Sequence, residues 1–157
     1  MNASDGARPP GSLPQATPDP VRTRRDRLQE AMQSMAQIGT PPVGQTDPWR
    51  TQLLDAAIRL RDLLDQHVTD TEQPGGFFDD LMTETTGRLR GQIELLRREH
   101  TELATTSRDL IDGIEQARDP ESLHDAAQQL LDGLDQHRQL GANLLWEAYG
   151  VDLGQAD

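Results

Sequence analysis

Apolar residues recur along four stretches of the chain in steps of three and four. The first stretch carries Leu28, Met32 and Met35, flanked by Ala31 and Ile38. The second carries Leu53, Ala57, Leu60 and Leu64, then His67 and Thr71. The third runs Leu89, Ile93, Leu96, His100, Leu103, Ser107, Leu110 and Ile114. The last runs Leu123, Ala127, Leu130, Leu134, His137, Gly141, Leu144 and Ala148. Such spacing lays one stripe along one side of an α-helix, as the seam of a bundle requires. No stretch alternates apolar and polar residues over the length of a strand. Four amphipathic helices with mostly short connections predict an all-α fold, an antiparallel up-down four-helix bundle.

The helix boundaries are written in Asp, Pro and Gly. Asp-Pro occurs at Asp19-Pro20, Asp47-Pro48 and Asp119-Pro120. Asp accepts from the free N–H groups of a first turn, and Pro at the first helical position loses no hydrogen bond. Three helices are therefore expected to begin near 20, 48 and 120. Gly39-Thr40-Pro41-Pro42 should end the first and Pro74-Gly75-Gly76 the second. A short extra helix is expected from Phe77 to about Glu84, and Thr85-Thr86-Gly87 should part it from a long helix over about 88–117. The last helix is expected over about 121–149. Residues 1–19, rich in Pro, Gly, Ser and Asp, are expected to form a disordered tail. The bundle then spans 20–150, and 151–157 is read as a C-terminal tail.

Composition narrows the function. The formal net charge is −12, the opposite of what a nucleic-acid binder carries. Its one basic cluster, Arg22, Arg24, Arg25 and Arg27, is read as a solvated first turn pairing with an acidic surface. Cysteine is absent, which excludes disulfides, thiolate metal sites and cysteine catalysis, and fits a reducing cytoplasm. No apolar run approaches a membrane span, and no apolar signal core opens the chain. A cytoplasmic protein with no membrane or nucleic-acid partner is expected. A Gly-x-Ser-x-Gly elbow and a Gly-rich phosphate loop are both missing. Asp62, Asp65, Asp132 and Asp135 fall off the seams, so no enclosed acid–base pair is expected and no enzyme activity is assigned. The run from Leu144 to Leu153 reads as a plug for one end of the bundle, or as a homodimer or partner surface anchored by Trp146.

Three of the four histidines, His67, His100 and His137, fall on the seams, whereas His124 sits beside one and should be exposed. At about 1.5 Å of rise per residue, all three stand about 25–28 Å from the same end of an up-down bundle. They should share one layer. Residues 55–67 (DAAIRLRDLLDQH) also align without gaps to 125–137 (DAAQQLLDGLDQH), with nine of 13 positions identical. This is an internal repeat that ends in Asp-Gln-His both times.

These features resemble the hemerythrin-like (HHE) cation-binding family. The matching stretches are His67-Val68-Thr69-Asp70-Thr71-Glu72 with Phe77-Phe78, Arg98-Glu99-His100-Thr101-Glu102-Leu103, and His137 with Leu144-Leu145-Trp146-Glu147. The resemblance covers roughly residues 48–150. It implies a duplicated helix pair folded as a bundle around inward His and carboxylate ligands, often with two irons. Thr71, Ala104 and Gly141 stand where that family would place further ligands, four residues after each histidine. A di-iron set is therefore not expected. Three readings remain open. His67, His100 and His137, with Glu72, hold one Fe or Zn ion. Alternatively the site has lost its metal and Arg25 fills part of the space. In the third reading the histidines are ordinary core residues bonded to water, Ser107 or each other. The functional expectation is a pared-down site for metal sensing or binding rather than turnover. Its alternative is a structural or interaction bundle without cofactor.

Overall fold

The computed structural model describes residues 20–150. The expected tails at 1–19 and 151–157, and the side chain of Arg22, lie outside the described residues. Five helices follow in order: α1 (Pro20–Ile38), α2 (Thr46–Glu72), α3 (Phe77–Glu84), α4 (Arg90–Glu115) and α5 (Pro120–Gly150). The fold is all-α, with no strand among the described residues. Around the bundle, α1 neighbours α2, α2 neighbours α4, and α4 neighbours α5. The ring closes lightly where α1 meets α5. No helix among the described residues is long and apolar enough to cross a membrane.

The local signals account for most boundaries. Asp119 caps α5, its Oδ2 accepting from the Ser122 backbone N–H at 3.0 Å. Replacing Asp119→Ala should cost about 1 kcal/mol, read as a lower urea midpoint at unchanged slope. Asp47 departs from expectation. The helix begins at Thr46, so Asp47 lies within the first turn, and Gln45 at the cap position makes no side-chain capping bond. The first four N–H groups of a helix have no intrahelical acceptor, so Pro48 is tolerated inside that turn. Asp47 then acts through its charge on the positive end of the helix. Gly39, with φ +62°, ends α1 in the left-handed region, and its carbonyl accepts from the Trp49 indole at 3.1 Å. Thr86 and Gly87 both have positive φ and turn the chain from α3 into α4.

Two apolar clusters fill the interior. The larger joins α1 and α2 to the C-terminal half of α4 and the N-terminal half of α5, around Leu60, Leu110 and Leu130. The smaller joins α3 to the opposite halves of α4 and α5, around Leu81, Leu96 and Leu144. His100 lies between Leu96 of one cluster and Leu103 of the other, and His137 lies between Leu134 and Leu144. The core is thus two apolar plugs parted by a histidine layer. Leu144 and Ala148 belong to the smaller plug, while Trp146 and Tyr149 point outward, at 75% and 48% exposure.

Candidate metal centre

The three seam histidines converge. One ring nitrogen each from His67, His100 and His137 lies within 4.8 Å of the other two. His100 and His137 are buried, and His67 is half-buried at the edge of the layer. Repeat-equivalent positions deliver two of them: Ala57, Leu60 and Leu64 below His67 are buried like Ala127, Leu130 and Leu134 below His137. His67 meets both partners edge-on, with ring centroids 5.2 and 5.7 Å away. Phe78 stacks on the outer face of His100 at 5.8 Å and holds its ring plane. His124, expected exposed, is half-buried beside Leu123, because α5 turns that side partly inward.

Four polar groups form one chain across the layer. Glu72 Oε1 stands 2.6 Å from His100 Nδ1. His100 Nε2 stands 3.0 Å from His137 Nε2. His137 Nδ1 stands 2.8 Å from Glu99 Oε2. Glu72, named with the histidines from sequence, therefore lies behind His100, outside the group whose ligand atoms converge. Glu99 does the same for His137 and was not singled out as a site residue. Its only signal was its place before His100, one step off the seam. From there its side chain reaches sideways from α4 to α5.

This arrangement leaves an electrostatic gap at its centre. With both carboxylates ionised, each Nδ1 carries the ring proton and donates it outward. When neither ring holds an extra proton, two Nε2 lone pairs face each other across 3.0 Å. A cation between them removes that repulsion, and it is either a proton or a metal ion. Burial, with the charges of His137 and Arg97, lowers the His100 pKa to about 3 despite the nearby Glu72 carboxylate. Burial, with His100, His137 and Arg25, lowers His67 to about 3 as well. Both rings are thus held neutral, the state in which imidazole ligates metals. Burial also raises Glu72, against the pull of Arg97.

The residues four places on from the histidines offer no ligand atom. Thr71 spends its hydroxyl on its own helix, donating to the carbonyls of His67 and Val68 at 2.9 and 3.1 Å. Gly141 faces open space, with nothing within 4 Å of where a Cβ would stand. Ser107 Oγ is buried and finds no partner among the described residues, so it does not bond the histidines. Arg24 pairs with Asp70. Arg25 lines a cavity that reaches His67 and His137.

Neither a family model, nor a curated protein, nor a solved structure matches this chain.

Proposed function

We infer that the chain is a hemerythrin-like bundle with a reduced ligand set, which holds one divalent transition-metal ion on His67, His100 and His137. The facing Nε2 atoms of His100 and His137, each with its Nδ1 committed to a carboxylate, carry this reading. A carboxylate behind each ligating imidazole is the arrangement that fixes tautomer and ring orientation in metal sites. Three imidazoles with an open position suit Zn²⁺, or Fe²⁺ kept ferrous in a reducing cytoplasm. Two nitrogens on one such ion stand at most about 4.2 Å apart, twice a bond of about 2.1 Å. His67, the most exposed of the three, is therefore the ligand that closes on the pair when the ion binds. The role proposed is metal binding or sensing, because none of the described residues is placed as a nucleophile or general base toward the open side.

A structural reading has one observation of its own. The chain Glu72, His100, His137, Glu99 closes with a single shared proton and no ion. Cobalt separates the two. Protein purified without a histidine tag and freed of metal should bind one Co²⁺ and show the visible absorption of a low-coordinate site, lost in His137→Ala. Absence of bound metal after purification, together with no Co²⁺ spectrum, leaves the structural reading standing.

A further inference from the structure

We propose that the cavity between α1 and α5 is a binding pocket for a monocarboxylate with an apolar tail. Two of its lining residues, His67 and His137, are also the proposed metal ligands, so the test below uses the metal-free chain. The cavity has a volume of about 390 Å³, within the range of small-molecule sites. It exists because α1 closes only lightly on α5 and because Gly141 puts no side chain into the gap. Leu28, Met32, Phe77, Leu144 and Leu145 make its walls, and His67 and His137 lie at its inner end. Walls of this kind favour an aliphatic chain, each methylene withdrawn from water contributing about 0.8 kcal/mol.

The polar groups at the mouth choose the head group. Three charged residues line it: Arg25, Asp26 and Arg138. Arg138 is tied to Asp135 at 2.8 Å. Arg25 makes no hydrogen bond or ion pair among the described residues. Arg25 and Asp26 are both exposed at the mouth, and with Arg138 the lining holds two cations to one anion, a balance that favours an anionic head group. Gln29, one turn after Arg25 on the same face, also lines the cavity. Its Oε1 is buried and unpartnered. An amide oxygen and nitrogen exchange on a flip, and the flipped amide offers an N–H one helical turn from Arg25. A guanidinium and an amide N–H at the mouth of an apolar pocket are complementary to a carboxylate whose tail lies inside.

Calorimetric titration of the full-length, chelator-treated chain tests this. Decanoate should bind saturably, one per chain, and more tightly than decanol or a decylammonium ion. Arg25→Glu should weaken decanoate about tenfold and leave decanol unchanged, the loss of one charge-assisted contact. Gly141→Leu should abolish decanoate binding while raising thermal stability, because the added side chain fills open space and Gly is a poor helix former. The proposal is overturned by no saturable binding of decanoate, by equal binding of decanol or the ammonium ion, or by indifference to Arg25→Glu. Failure of the metal reading would leave all of these measurements unaffected.

Discussion

Zn²⁺ at about a thousand times its dissociation constant should raise the unfolding free energy of the metal-free chain by about 4 kcal/mol. For a chain of this size that corresponds to a rise in melting temperature of about 10 °C. The unfolded chain cannot hold His67, His100 and His137 at one point, so affinity for the folded state becomes stability. His100→Ala should remove the shift. His124→Ala, far along α5 near its start, should keep it. Glu99→Gln supplies a finer test. Its carboxylate touches no metal but fixes the His137 ring through Nδ1 at 2.8 Å. Loss of such a partner should weaken the metal by about tenfold or more while the chain still folds. Equal stabilisation of the His100→Ala variant would place the effect elsewhere on this acidic surface, and none of the parent would overturn the metal reading.

The parts of this centre that sequence disclosed are those governed by helical periodicity. Three histidines at seam positions had to face inward once the surrounding leucines did. Constant rise per residue then put them in one layer. The Pro and Gly signals placed α3 over Phe77–Glu84 because each acts on the local backbone alone. What stayed hidden depended on contacts between helices. Nothing at Glu99 itself says that its side chain turns toward α5, and Glu72 is equally able to aim at a metal or at the back of an imidazole. The cavity was invisible for the same reason: it is a gap between α1 and α5, and Gly141 reads from sequence only as a residue with no ligand atom. Asp47 was misplaced because Pro is tolerated throughout a first turn, which leaves the start of a helix uncertain by a residue or two. The outward turn of Trp146, beside a buried Leu144, shows the limit of reading an apolar run as a plug.

Stability of the metal-free chain should fall as the pH drops below about 6.5. His67 and His100 are held near a pKa of about 3 in the folded protein, against 6.5 when the ring is free in water. Between those values the unfolded chain takes up protons that the folded chain refuses. The stabilisation is complete above 6.5 and is lost as the pH falls toward 3. Each such histidine removes about 1.4 kcal/mol per pH unit, hence about 2 kcal/mol apiece by pH 5. Glu72 works in the opposite sense, because its raised carboxyl takes a proton more readily in the folded chain than in the unfolded one. Its contribution acts from the ordinary carboxylate value upward to the raised one and so offsets part of the histidine effect. Urea titrations at pH 7, 6 and 5 measure the slope. The double variant His67→Gln, His100→Gln should flatten it while keeping a polar layer between the two apolar clusters. A slope that survives in that variant would assign the acid sensitivity to surface carboxylates. A slope present without metal and suppressed by saturating Zn²⁺ would tie both predictions to the same three rings, since an ion on their nitrogens must be displaced before protons can reach them.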